Sequence, residues 1–169
     1  MWKVSLKYAV TAGIVEAILF NVGRWMGIHP MIEISHLFFD VVILTIFISL
    51  AAYEFRKYHN NGILHFWQGV SIGFLIVFPA TIIFMLLIVI QFTGNDGLLD
   101  EYKQLAMQLL GDRSDIYLAQ FGPEQYASQQ NAIQNISYYQ LFSSSFGKKL
   151  LAGLFVTPAI SIVLRKKPF

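Results

Sequence analysis

The chain has 169 residues, of which 56% are hydrophobic and 13% charged, and its formal net charge is +2. Soluble domains carry about 25% charged residues, so this chain has too few to cover a surface that faces water. The small net charge argues against a nucleic-acid partner. The absence of cysteine excludes disulfides and thiolate metal sites. The composition therefore predicts a single membrane domain, residues 1–169, that contacts the lipid bilayer.

Apolar stretches long enough to cross a bilayer occur in succession along the chain. A membrane span needs about 20 mostly apolar residues. The predicted spans are residues 8–24, 35–55, 67–92 and 146–165. Lys7 and Arg24 bracket the first span and would lie about 25 Å apart on a helix, at opposite interfaces. The predicted fold class is an all-α polytopic membrane protein with four transmembrane helices.

The basic residues that flank the spans predict the orientation of the chain. Lys3, Lys7, Arg56, Lys57, Arg165, Lys166 and Lys167 all fall on one side. The short loop on the other side contains only Arg24. Because short cytoplasmic loops are enriched in Lys and Arg, we expect both termini in the cytoplasm. Lys148 and Lys149 fall on the opposite side, where we expect their side chains to extend to the interface.

The connection between the third and fourth spans, residues 96–140, predicts a helical cap on the outer (periplasmic) face. Apolar residues recur at helical spacing from Leu98 to Leu109, and Gly111 follows as a helix stop. Gly122 and Pro123 predict the end of one helix and the start of the next. The many aromatic residues of this segment suit a position at the depth of the lipid headgroups.

Small residues in the last two spans predict close helix packing. They are Gly69 and Gly73 in the third span and Gly153, Thr157 and Ser161 in the fourth. Such stripes let helix backbones approach each other in lipid. The stripes could face each other or other helices of the bundle, and the alternative is a homodimer seam. Pro79 and Pro158 also lie within these spans, where neighbouring helices can satisfy the freed carbonyl groups.

Glu16 is the first candidate for a functional residue. It would lie about 13 Å beyond Lys7 along the helix, close to the bilayer centre. A lone carboxylate there would cost several kcal/mol, so Glu16 is either protonated or partnered. One interpretation is a proton relay, a cation relay or a substrate contact. The other is a neutral acid that hydrogen-bonds a neighbouring helix.

A second candidate cluster lies at the outer end of the second span. Glu33, His36 and Asp40 fall on one helical face. Glu-x-x-His is the motif of di-iron helix bundles, but those sites need a second such motif and further carboxylates. The chain has a single motif. We therefore predict no metal site and favour a polar rim, with His36 and Asp40 as a helical pair near Arg24.

No phosphate-binding, dinucleotide-binding, hydrolase or metalloprotease motif is present in the sequence. We therefore expect no enzymatic activity and no cofactor. The leading hypothesis is a non-catalytic accessory or assembly subunit that contacts other membrane-protein subunits. The alternative is a small transporter or channel subunit that acts through Glu16 and the Pro79 kink and requires self-association. An enzyme built on the cluster at Glu33 is the least favoured hypothesis.

The layout resembles a family of bacterial four-helix membrane proteins of unknown function. The resemblance rests on the loop from Tyr53-Glu-Phe-Arg-Lys57 through Asn61-Gly62 to Phe66, on Gly153 and Pro158, and on the basic tail Arg165-Lys-Lys167. Family members carry Gly after the Tyr of the first span, whereas this chain has Ala9 after Tyr8. The resemblance implies a four-helix fold and a bacterial inner membrane, and it implies no activity.

Overall fold

A computed structural model of the chain describes residues 1–26, 34–93 and 97–166, and these residues form six α-helices. The helices are α1 (Trp2–Trp25), α2 (Ile34–His59), α3 (Phe66–Thr93), α4 (Gly97–Asp112), α5 (Ser114–Gln134) and α6 (Tyr138–Leu164). Among them α1, α2, α3 and α6 are long and apolar enough to cross a membrane. The prediction of an all-α polytopic fold with four such helices is confirmed.

Helix α6 begins well before the predicted fourth span, because its start is capped. The Ser137 hydroxyl accepts a hydrogen bond from the Gln140 backbone amide, and the Gln140 side chain accepts one from the Ser137 amide. This reciprocal capping box satisfies two amides that would otherwise lack partners. With 27 residues, α6 is about 40 Å long and exceeds the hydrocarbon thickness. The helix is therefore longer than an untilted span of the apolar layer requires.

The two predicted small-residue stripes lie against each other, α3 against α6. A Cβ atom added at Gly69 would lie 2.7 Å from Ser161 Oγ, and one added at Gly73 would overlap the Thr157 side chain. A Cβ atom added at Gly153 on α6 would likewise overlap the Val77 side chain on α3. Helices approach this closely only where a glycine removes the side chain. Both helices continue through their internal prolines.

Helix α1 packs on α3 through a second face of small residues, which the sequence analysis did not single out. Ala9, Ala12 and Ala17 are buried there. A Cβ atom at Gly13 would lie 2.7 Å from the carbonyl oxygen of Ala80. The two contacts place α3 between α1 and α6, so α3 is the most buried of the four spanning helices.

The start of α1 and the end of α6 lie at the same end of the bundle, which we call the terminal end. There the start of α1 meets the end of α2 through the Lys7–Glu54 ion pair. Leu64 and Lys166 exchange two backbone hydrogen bonds of 2.9 and 3.0 Å, which join the α2–α3 turn to the end of α6. Gly62 makes this tight turn possible, because its φ of 78° is one that L side chains rarely adopt.

Helices α4 and α5 cover the other end of the bundle, which we call the cap end. They pack together through Ala106, Leu110 and Ile133. Helix α5 breaks at Gly122, where φ is 81° and ψ is 170°, and this is the position at which the sequence predicts one helix to end. The break brings Tyr126 to 6.1 Å from the Tyr117 ring.

Candidate functional site

A lysine in the interior of the bundle is held between two acidic side chains from other helices. The Lys149 ammonium group lies 3.0 Å from a Glu16 carboxylate oxygen and 2.5 Å from an Asp40 carboxylate oxygen. The three side chains are only 2–4% exposed. We call Glu16, Asp40 and Lys149 the charged triad. It joins α1, α2 and α6 by charge-assisted hydrogen bonds, which are short and strong.

Helix α3, the spanning helix that contributes no member of the triad, places an aromatic ring beside it. The Lys149 ammonium group lies 4.0 Å from the centroid of the Phe84 ring on α3. Phe20 on α1 contacts Phe84 edge to face, with 6.0 Å between the ring centroids. The face of an aromatic ring attracts a cation, and the attraction is stronger where water is excluded. Side chains from α1, α2 and α3 therefore stabilise the charge of one lysine on α6.

Each member of the triad continues a row of buried residues spaced four apart on its own helix. The rows are Ala12, Glu16 and Phe20 on α1; Asp40, Leu44 and Ile48 on α2; and Lys149, Gly153, Thr157 and Ser161 on α6. Residues spaced four apart share one helix face. The charges therefore point inward because they lie on the faces that pack against neighbouring helices.

The depth of the triad makes its charge balance important. Glu16 lies about 13 Å from the cap end of α1 at Trp25, within the apolar part of the bundle. An ionised group at this depth is costly unless it is paired. Among the described residues, Lys149 offsets the charge of both acids, and a carboxylic acid can also bind a proton. The arrangement can thus do two things chemically: tie helices together and hold a proton.

The structure brings together residues that the sequence assigns to separate hypotheses. Glu16 and Asp40 meet at Lys149, and the expectation that Lys149 extends to the interface is wrong. The two buried acids stabilise its ammonium group inside the bundle instead. Arg24 forms an ion pair with Glu101 of α4 at 3.1 Å, and its expected position near Asp40 stays a prediction.

The remaining members of the predicted polar cluster are only partly described. Glu33 lies outside the described residues. His36 belongs to α2, but its side chain lies outside the described part of the chain. Among the residues that the structure describes, no group of three or more His, Asp and Glu side chains is placed to hold a metal ion.

A second, more exposed cluster lies at the terminal end. The Lys7 ammonium group lies 2.7 Å from a Glu54 carboxylate oxygen, and the Tyr8 hydroxyl donates a 2.6 Å hydrogen bond to the same carboxylate. The Lys7 side chain is 56% exposed and that of Glu54 is 25% exposed. This cluster ties α1 to α2 where polar headgroups and water can reach it.

Four spanning helices around an interior charged triad define a small polytopic membrane protein of the all-α class. The chain belongs to the DUF4199 family, proteins of unknown function, whose sequence model matches residues 7–166. The expected membership in an uncharacterised family is therefore confirmed. No match was found among curated proteins or among solved structures.

Proposed function

We propose that this chain is a non-catalytic accessory or assembly subunit, and that its α4–α5 cap contacts a partner protein. One observation carries the proposal: α5 lies outside the spanning helices yet exposes large apolar side chains. Ile116 is 61% exposed and Phe121 is 57% exposed, and Leu118 is exposed between them. Leu118 and Phe121, three residues apart, share one helix face, and an exposed apolar face is typical of interaction sites.

We further propose that the protein resides in a bacterial inner membrane with both termini in the cytoplasm. The concentration of Lys and Arg at the terminal end supports this orientation. A cysteine introduced at Asn60 should then react only with membrane-permeant reagents in intact cells. A cysteine at Gln129, in the cap, should react with impermeant reagents. The reverse labelling pattern would contradict the orientation.

In this proposal the charged triad fixes the helices of the subunit in one arrangement. Lys149 contacts two acids whose positions in the chain are 133 and 109 residues away. A helix rotated about its own axis would separate charges in the apolar interior, which is costly. The triad therefore favours a single packing of α1, α2 and α6 beneath the cap.

Native mass spectrometry of the protein, extracted into nanodiscs from its own membrane, tests the subunit proposal. We expect a hetero-complex that dissociates when Ile116 and Phe121 are both replaced by Ser. The matched control is Val163→Ser, which alters an exposed apolar residue of a spanning helix and should leave the complex intact. A monomer, or a complex that survives both replacements, would contradict the proposal.

The second candidate function is a subunit of an oligomeric transporter or channel that takes up a proton at the triad. The observation that favours it is the ratio of two acids to one lysine in a buried site. A buried carboxylate can bind a proton, and ionisable residues inside spanning helices mark many proton and ion pathways. Four helices rarely enclose a pathway, so this candidate requires a homo-oligomer.

Glu16→Gln separates the two candidates, because glutamine preserves the shape and hydrogen bonding of the acid but cannot change its charge. If the triad only fixes the helices, the variant should fold and restore the phenotype of a deletion strain. If the triad exchanges a proton, the variant should fold and fail to restore it. The matched control is Glu54→Gln, the same substitution at the more exposed terminal-end pair, which should restore the phenotype in both cases.

A further inference from the structure

A lipid-facing groove runs between α2 and α6 on the cap half of the bundle. Its volume is about 500 Å³, and its lining is almost wholly apolar. Leu37 and Val41 form the α2 wall, and Leu151, Phe155 and Ala159 form a stripe spaced four apart on the α6 wall. Among the described residues that line the groove, Lys148 alone is charged.

The groove has the length of a lipid acyl chain within one leaflet. Between Lys148 and Ala159, α6 rises about 16 Å. Half of a bilayer's hydrocarbon core is about 15 Å thick. The Lys148 side chain also lines the space under the cap, so a chain that lies along the α6 stripe would extend from that side chain into the apolar layer. The exposed Ala159 leaves room at the deep end of the groove.

A separate cavity lies under the cap, between α4, α5 and α6 at Lys148. Its volume is about 270 Å³, and its lining includes two cationic side chains, Arg113 and Lys148. Among the described residues that line it, none is acidic. Neither cation forms an ion pair with a described residue. The cavity therefore offers a positive environment at the boundary between cap and membrane.

Two tyrosines give this cavity further hydrogen-bonding groups. Tyr102 and Tyr117 belong to its lining, beside the amide of Gln129. Burial raises the pKa of the Tyr102 phenol. A phenol is protonated at neutral pH in any case, and a protonated phenol can donate a hydrogen bond to an anionic oxygen.

Lys148 lines both the groove and the cap cavity, and we propose that together they bind an anionic phospholipid from the cap-side leaflet. The phosphate group lies between Lys148 and Arg113, and one acyl chain follows the groove towards Ala159. Lys and Arg are the side chains that recognise phosphate, Arg by two parallel hydrogen bonds. This inference stands apart from the proposed partner contact and from the charged triad.

The two halves of the site together favour a phospholipid over a simpler ligand. A water-soluble phosphate compound would occupy the cationic cavity and leave the apolar groove empty. A neutral hydrocarbon would occupy the groove and leave the two cations without an anion. Only an amphiphile with an anionic head satisfies both, and such molecules surround the protein in a membrane at high local concentration.

Native mass spectrometry measures this binding directly. The full-length protein is released from nanodiscs that contain phosphatidylglycerol or phosphatidylcholine, and the retained lipids are counted. We expect one tightly held phosphatidylglycerol and no equivalent phosphatidylcholine. Lys148→Gln and Arg113→Gln should each lower the apparent affinity about fivefold, and the double variant about 25-fold, because each cation near a membrane surface contributes similarly.

Two further variants make the result decisive. Lys3→Gln is the matched control, because it removes an exposed charge at the opposite end of the bundle, and it should not change retention. Ala159→Phe fills the deep end of the groove without altering charge, and it should lower retention of phosphatidylglycerol with 18-carbon chains more than with 10-carbon chains. Equal retention of the two lipids, or equal retention by Lys148→Gln and Lys3→Gln, would overturn the proposal. Displacement by millimolar inorganic phosphate would also overturn it, since that result identifies a free-phosphate site.

Discussion

Two lysine–carboxylate pairs of similar geometry hold this protein together in different surroundings. Lys149 lies 2.5 Å from Asp40 in the bundle interior, and Lys7 lies 2.7 Å from Glu54 at the terminal end. The Lys149 side chain is 4% exposed, whereas that of Lys7 is 56% exposed. The distances alone would suggest equal strength. The surroundings, and not the distances, decide how much each pair contributes to the stability of the protein.

The physical difference lies in what happens when one partner is removed. At the terminal end, water and headgroups solvate the charge that remains, so the loss is small. In the interior, the remaining charge has no such solvent, and breaking a buried pair is strongly destabilising. The charged triad adds a second carboxylate, so removing its lysine leaves two acids facing each other. The comparison therefore predicts unequal effects from the same substitution.

The largest expected effect is that of Lys149→Met, which keeps the length of the side chain and removes its charge. We expect a loss of about 3–5 kcal/mol in the free energy of unfolding, because Glu16 and Asp40 lose their shared counter-ion. Thermal and denaturant unfolding in detergent measure the loss. The triple variant Lys149→Met, Glu16→Gln, Asp40→Asn removes all three charges and should recover most of the stability. If single and triple variants are equally stable, the buried charges do not govern the packing.

A smaller effect is expected from Gly73→Leu, which tests whether close packing of α3 and α6 positions Lys149. The new side chain would overlap Thr157, and overpacking of this kind costs about 1–3 kcal/mol. Unfolding in detergent measures the cost. Ile76→Leu is the control, because it keeps the volume of a fully buried side chain on the same helix. Equal stability of the two variants would contradict a close α3–α6 contact.

The smallest effect is expected from Lys7→Met at the terminal end. Solvent replaces the lost partner of Glu54, so the unfolding temperature should remain close to that of the unaltered protein. High salt should weaken the unaltered Lys7–Glu54 pair but leave the triad unaffected, since screening acts on exposed charges. Unfolding measured at low and high ionic strength tests this difference. A loss as large as that of Lys149→Met would refute the distinction between the two pairs.

Local sequence patterns were sufficient to predict the helices and their class. The apolar stretches predicted four spanning helices, because the bilayer requires a minimum length of apolar chain. The glycine stripe at Gly69 and Gly73 and the break at Gly122 were also visible, because each depends on residues close in sequence. The capped start of α6 at Ser137 was missed, although Ser and Gln three positions apart form a recognisable capping signal.

The contacts within the charged triad join three helices, so the sequence pattern of one helix cannot predict them. The spacing of Lys149, Gly153 and Thr157 already indicates that the lysine shares the buried face of α6, and the same reasoning applies to Glu16 and Asp40. The sequence by itself therefore determines a packing face on α6, although the prediction that Lys149 extends to the interface did not take that face into account. It does not determine that the three faces meet, because helices of equal apolarity can be arranged in several ways in lipid. The tertiary structure decides this by bringing residues 133 and 109 positions apart into contact with one ammonium group.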